Sequence, residues 1–558
     1  MKTSIYAYLP RFAAADGSAR RLCFAAPALG LLLAFGPAPA WADDQSQTAQ
    51  EIRELKARLA NLEKRLDTQA HDEAQTRRMV SAAPTKKGEE LPPTCPEGKF
   101  CYKGLTITPG GFFALEGLYR QHNMESDIDT PFGSIPFPNN AVGNTNESRW
   151  SERQSRLSLM VQGKPDPATT LTGYGEFDFL GAAATANQNQ SNSFQPRVRH
   201  LYAGYDESDW GLHVIAGQTW SLATLNNFSM DPQKTQVPAP IDAQYVAGFT
   251  WTRQPQLRVY ETVGGMSFGA SIENASSIIG GKLPSGVVAT SLAGCSGTTA
   301  VNTAADSLFN ACDTYTINRI PDMIGKVAWD GAAADHKIHL EGFGLLRDFY
   351  DRTIDTAAGV SPFGTGDHDT WGGGFGGGAI VEAVPKMLDL QFSGLAGNGV
   401  GRYGTSTLPD VTYNPVTGKF DTVSSYQMLA GATLHATPTL DFYAYGGEEV
   451  ERAKYVAGAA YSAYGVGNPL GTNNTGCDVP DSLSFSTALT CNGNTRMVRE
   501  LTVGLWDTVY KGNFGQVKVG AQYEYIQRQL FAAATPGEGG APTASENVGM
   551  VSLRYYPF

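Results

Sequence analysis

From Leu105 to the C-terminus the chain repeats one pattern: about ten residues in which apolar and polar side chains alternate, then a break, then another such segment. Val517, Val519, Ala521, Tyr523 and Tyr525 alternate with Gln516, Lys518, Gly520, Gln522 and Glu524. Leu157, Leu159 and Val161 oppose Arg156, Ser158 and Gln162, and Phe113, Leu115, Gly117 and Tyr119 oppose Glu116 and Arg120. Leu171, Gly173, Gly175, Phe177 and Phe179 likewise oppose Thr172, Tyr174, Glu176 and Asp178. A period of two places successive side chains on opposite faces of a β-strand, so each segment offers one face to an apolar medium and one to water. Soluble sandwiches alternate too, and the connections separate the two cases. Short breaks fall at 164–168, 206–210, 263–266, 331–335, 384–387, 436–439 and 511–514. Long ones fall between them and at both ends, at 122–152, 182–194, 222–245, 275–321, 349–370, 398–424, 450–496 and 531–546. Tight turns on one side of a membrane and long loops on the other give this alternation. The count predicts an all-β transmembrane barrel of 16 antiparallel strands over residues 105–558. Splitting 247–263 at Pro255 would make the strand number odd and leave the chain ends on opposite sides, so Pro255 is read as a bulge inside one strand.

Nothing after Ala42 is apolar for 18 residues, which excludes a spanning helix but not a barrel, whose alternation keeps mean hydropathy low. The 63 Gly, 24 Tyr and 26 Phe, with only 17% charged residues, suit such a barrel. Residues 1–42 combine Lys2, Arg11, Arg20 and Arg21 with an apolar run from Leu22 to Phe35 and a small-x-small site at Ala40-Trp41-Ala42. That is a signal peptide cleaved after Ala42. Taking its four basic residues and Asp16 from the 42 basic and 54 acidic residues of the chain leaves 38 against 53, which argues against a nucleic-acid partner.

Ile52, Leu55, Leu59, Leu62 and Leu66 are spaced three and four residues apart, a heptad seam flanked by charges. Residues 43–78 are therefore expected to form an α-helical coiled coil in the periplasm. So short a helix is marginal alone, and Arg58 and Glu63 flank its seam as in short three-stranded coiled coils, which predicts a homotrimer. Residues 79–104, rich in Pro, Lys and Glu, read as a linker. Six cysteines of the exported chain fall into local pairs, Cys95 with Cys101, Cys295 with Cys312 and Cys477 with Cys491, expected as disulfides rather than metal ligands. Two of the pairs fall in the two longest loops. The chain ends in Tyr555-Tyr556-Pro557-Phe558, which resembles the terminal aromatic signal read by the outer-membrane assembly machinery, although Pro557 puts Phe558 out of step with Val551, Leu553 and Tyr555.

Short stretches in one order carry a family resemblance: Arg153-Gln154-Ser155-Arg156-Leu157, Arg197-Val198-Arg199-His200-Leu201-Tyr202, Ala216-Gly217-Gln218-Thr219-Trp220-Ser221 and Arg253-Gln254-Pro255-Gln256-Leu257-Arg258. Pro321-Asp322, Leu345-Leu346-Arg347-Asp348 and Gly401-Arg402-Tyr403 complete the set. The chain resembles the DcaP-like trimeric outer-membrane porins, which join a periplasmic coiled coil to a sixteen-stranded barrel. The resemblance implies uptake of small hydrophilic solutes, anions such as dicarboxylates among them.

By alternation Glu116, Arg120, Arg156, Glu176, Asp178, Lys518 and Glu524 face the lumen, and the family stretches add Arg197, Arg199, Arg253, Arg258, Arg347 and Arg402. Such charges either set a field across a pore or pair to stiffen the wall. Gly372-Gly373-Gly374-Phe375-Gly376-Gly377-Gly378 lacks the strand-then-helix context of a phosphate loop, and close backbone approach accounts for it better. His336 and His339 fall on opposite strand faces, and no local Ser, His and acid constellation points to an enzyme. No cofactor or metal is implied. The competing reading is a plugged barrel acting as a structural tether or binding protein between outer membrane and periplasm.

Overall fold

The computed structural model describes residue 95 and residues 98–181, 194–284, 287–288, 316–353, 365–480, 490–534 and 540–558. The expected signal peptide, the coiled coil with its seam and the Cys295–Cys312 pair lie outside the described residues.

Sixteen antiparallel strands pair in chain order and close on themselves. The first eight are β1 (Leu105–Arg120), β2 (Glu147–Ser151 and Arg156–Gly163, in line along β1), β3 (Thr169–Asp178), β4 (Arg197–Glu207), β5 (Leu212–Trp220), β6 (Arg253–Val263), β7 (Met266–Glu273) and β8 (Asp322–Ala333). The rest are β9 (His336–Thr353), β10 (Gly366–Val384), β11 (Leu388–Asn398), β12 (Ser424–His435), β13 (Leu440–Glu451), β14 (Thr495–Gly512), β15 (Gly515–Leu530) and β16 (Thr543–Tyr556). β16 returns to β1 through Phe113↔Tyr555 to Arg120↔Val548, so the sheet has no free edge along that seam. The exposure pattern is that of a membrane barrel. On β16, Val551, Leu553 and Tyr555 face out while Glu546, Ser552 and Arg554 are buried inside.

Seven turns of two to five residues alternate with eight long connections, as the sequence predicts. The shortest use backbone that favours glycine, as at Gly264 and Gly265, with φ of 58° and 84° between β6 and β7. The bulge expected at Pro255 is absent. β6 begins only at Arg253, and its register with β5 runs unbroken from Trp220↔Arg253 to Leu212↔Glu261. Pro255 sits near the strand end, where its missing N–H is tolerated and its carbonyl accepts from Asn274 at 2.9 Å. Trp251 belongs to the preceding loop. A bulge lies instead on β4, where Glu176 faces His200 but Phe177 faces Val198. The extra residue, Arg199, lets Arg199 and His200 both turn inward.

Before β1, Phe100–Tyr102 folds back along Leu105–Ile107, beside the Cys95–Cys101 disulfide. On the long-loop side, Ile279–Gly280, Val411–Asn414 and Lys419–Thr422 form a small separate sheet packed on Phe349 of β9. The Cys477–Cys491 disulfide staples loop 452–494, and Asn139 of loop 121–146 donates its N–H to the Cys477 carbonyl at 3.3 Å. Loop 221–252, between β5 and β6, turns into the barrel, with Leu222, Met230, Ile241, Val246 and Phe249 buried.

Candidate functional site

An inward loop carries backbone N–H groups away from water, and each needs an acceptor. The wall supplies them. Leu222 N–H donates to Glu273 at 2.8 Å, Asn226 to Glu341 at 3.1 Å, Ser229 to Asp330 at 2.8 Å and Ile241 to Gln522 at 2.6 Å. Ala247 donates to Glu500 at 2.7 Å and Gly248 to Glu449 at 2.9 Å. These acceptors come from β7, β8, β9, β13, β14 and β15, so one loop is fastened across much of the circumference. Hydrogen bonds to charged groups contribute about 1.5–3 kcal/mol each. Asp242, on the loop itself, is buried and accepts from the Gln522 amide at 3.0 Å, and burial pushes its carboxyl up to about 6. Glu273, Asp330, Glu341, Glu449 and Glu500 are therefore engaged by the loop, while Glu451 of β13 is buried with neither carboxylate oxygen partnered among the described residues.

The facing wall, β2 to β4 with the start of β6, is basic. Arg197 forms a two-pronged pair with Asp178 at 2.9 and 2.7 Å. Arg199 bridges Glu176 at 2.5 Å and Asp178 at 2.9 Å. Arg253 lies between the Trp220 and Trp251 rings, 5.0 and 5.6 Å from their centroids, and donates through Nη2 to Gln244 at 2.9 Å. Among the described residues its Nε and Nη1 are buried without a hydrogen-bond partner, as is Nε of Arg156, whose guanidinium sits 5.3 Å from the Phe112 ring. Four arginines against Glu176 and Asp178 leave a net of two positive charges before His200 is counted. A donor of fixed charge without an acceptor suits an arriving carboxylate or phosphate oxygen.

All thirteen luminal candidates turn to the interior, and the geometry divides them. Arg156, Glu176, Asp178, Arg197, Arg199 and Arg253 come together in the basic cluster. Arg402 lies nearby, donating to Gln254 at 2.7 Å with Nη1 3.8 Å from Asp322. Three others are anchors. Arg120 donates to the carbonyls of Ser126, Asp127 and Asp129 and pairs with Glu147 at 2.8 Å, fixing loop 121–146. Arg258 holds the Met230 carbonyl at 2.8 Å, and Arg347 ties Asp322, Asp410 at 2.8 Å and the Gly399 carbonyl at 2.6 Å. Glu116 pairs with Arg554, and Glu524 accepts from Gln522 beneath the loop. Lys518 lies apart, with Lys386 and Lys511 around a cavity of about 660 Å³ at the short-turn end.

Sequence reasoning missed Trp220, Trp251, Gln522, Glu449, Glu500 and Arg554. Arg554 donates to Glu116 at 2.9 Å and to the loop carbonyl of Ile241 at 2.7 Å. The alternation of Leu553-Arg554-Tyr555 could have found it. Nothing local could have found Trp251, whose role depends on where the loop folds.

No protein-family model matches the sequence, and no curated protein matches it. Among solved structures, the outer membrane channel DcaP of Acinetobacter baumannii matches at a TM-score of 0.54 and 15% identity, over 82% of this chain and 99% of that one. An anion-selective porin from Comamonas acidovorans gives 0.41 at 11% identity, over 81% and 99%. OmpT, an outer membrane protein of Vibrio cholerae, gives 0.39 at 10%, over 82% and 99%. These structural neighbours are outer-membrane barrels, and the fold shared with DcaP is the one the sequence motifs implied.

Proposed function

We propose that this chain, a barrel with the DcaP-type fold, is an outer-membrane porin through which small hydrophilic solutes diffuse passively, anions such as dicarboxylates among them. One observation carries the reading: Arg156 and Arg253 hold buried donors unpartnered among the described residues on a basic wall, while Glu449 and Glu500 opposite are engaged by loop amides. A carboxylate would dock on the free edge of Arg253, and a second carboxylate of the same solute would lie within the field of Arg156 and Arg199. The inward loop fills much of the lumen, which restricts passage to small solutes.

The remaining parts of the reading concern the envelope around the barrel. Residues 1–42 direct export, and outer-membrane lipid surrounds the apolar band after insertion by the assembly machinery. Residues 43–78 assemble three copies in the periplasm through Ile52, Leu55, Arg58, Leu59, Leu62, Glu63 and Leu66, and Cys295–Cys312 staples loop 274–321 as Cys477–Cys491 staples its neighbour. Planar-bilayer recording tests the whole: three-step conductance with anion preference is expected, and absence of current refutes the channel. Deleting residues 43–78 should yield monomers that still conduct. Loss of envelope integrity with the trimer intact would point to the tether instead.

A further inference from the structure

The lumen holds a second group of cations that neither the inward loop nor the arginine cluster uses. On β15, Gln516 and Lys518 share the inward face of Gln522, which holds the loop, and the register Lys511↔Gln516 places Lys511 of β14 on that face as well. Lys386 stands in the turn between β10 and β11. The three lysines surround the cavity of about 660 Å³ at the short-turn end, with Thr437 and Gln516 between them. Lys518 lies four residues before Gln522, about 13 Å along the strand from the fastened loop.

The acids of this end are occupied elsewhere. Asp441 is the one carboxylate lining the cavity among the described residues, and it pairs with His435 at 2.7 Å. The same imidazole reaches Asp389 at 3.2 Å on its other side. Glu382 accepts from the Lys386 backbone N–H at 2.6 Å and stands 4.0 Å from Lys337. The ammonium groups of Lys386, Lys511 and Lys518 form no ion pair among the described residues. Counting Lys337, four lysines meet three carboxylates before His435 is added, and the excess positive charge lies around the cavity. The Gln516 amide gives one hydrogen to Thr508 at 3.1 Å and has a second to give.

We infer that this cavity is a binding site for small phosphate-bearing solutes, with Lys386, Lys511 and Lys518 as the phosphate ligands and Gln516 as a neutral donor. Separate point charges with rotatable donors, carried on three different elements, suit a compact tetrahedral oxyanion, whereas the flat forks of Arg197 and Arg253 suit carboxylates. The two clusters lie in series along the lumen, and exposed lysines hold an anion weakly enough to release it. The site rests on the inward register of β14 and β15, not on the barrel's conducting. The phosphate of a phospholipid headgroup at the barrel rim offers the same chemistry from outside.

The test titrates full-length protein in detergent with inorganic pyrophosphate at low salt, read by calorimetry, with thermal melting as the folding control. Lys386→Gln/Lys511→Gln/Lys518→Gln removes the ligands and keeps polar side chains at positions that carry no ion pair, so the melt should not move. Saturable binding should survive Arg253→Gln within twofold and weaken at least tenfold in the triple variant. No saturable binding by wild type, or equal affinity in the triple variant, overturns the site. Loss of binding in Arg253→Gln alone also overturns it and moves the anion to the arginine wall. Succinate competing as well as pyrophosphate for the site overturns the phosphate class. Phosphatidylglycerol retained by wild type in native mass spectrometry and lost by the triple variant, without pyrophosphate binding, assigns the lysines to a lipid headgroup and overturns the luminal site. Pyrophosphate bound as expected with no bilayer current would refute the porin reading alone.

Discussion

Arg253→Gln is the sharpest test of the basic wall. The substitution removes one positive charge from a cluster whose net is two, while glutamine can still face Gln244 and lie between Trp220 and Trp251. A unit charge 4 Å from a passing anion is worth about 1 kcal/mol in water and about 4 kcal/mol at an effective dielectric of 20. The lower part of that range, about 1–1.4 kcal/mol, is the conservative expectation for a passing solute that keeps part of its hydration. Screening at 0.1 M salt acts over about 10 Å and leaves a contact at this distance largely intact. Since about 1.4 kcal/mol is tenfold in an equilibrium, the anion-over-cation permeability ratio should fall about five- to tenfold. Reversal potentials across a potassium chloride gradient measure that ratio directly. Arg319→Gln, on the outer face, is the matched control and should leave it unchanged. If Arg253→Gln conducts normally and shifts the reversal potential no more than Arg319→Gln does, the arginine cluster is not the charge filter.

Other expectations follow from the loop and its fastenings. Glu500→Ala strands the Ala247 N–H, at a cost of about 1–3 kcal/mol, and should appear as noisier single-channel current and passage of larger solutes. Asp242, lifted to about 6 from an ordinary value of 3.8, binds a proton in the folded state that the unfolded chain has already lost. Thermal stability should therefore fall as pH rises from about 4 through about 6, and Asp242→Asn should make that fall shallower. Cys477→Ser/Cys491→Ser releases loop 452–494, so limited proteolysis should cut there while conductance persists.

The barrel was legible because a membrane wall imposes a period of two on every strand, and because turn and loop lengths differ so much on its two sides. Strands such as Gly515–Leu530 announce both faces in their own residues. The constriction was not legible, since loop 221–252 is held by side chains scattered from Glu273 to Gln522, each of which looks in isolation like an ordinary luminal polar residue. Parity also failed locally. Arg199 and His200 cannot both face inward on a regular strand, and only the register shift opposite Glu176 shows that they do. Arg120, Arg258 and Arg347 show the converse limit. Their inward direction was readable, but whether a guanidinium meets solute or a carbonyl depends on loops that alternation does not describe.

The fastening of one loop by acids from five strands and Gln522 from a sixth separates two properties that a single ring of side chains would couple. On the channel reading, how wide the passage is would depend on β7 to β9 and β13 to β15, and which charge it favours on β2 to β4 and Arg253. A lineage could retune the sign of its cargo by replacing arginines on one arc and leave the calibre of the passage alone. Transplanting residues 221–252 into another sixteen-stranded barrel would do neither, because the loop would arrive without the carboxylates that give it its shape.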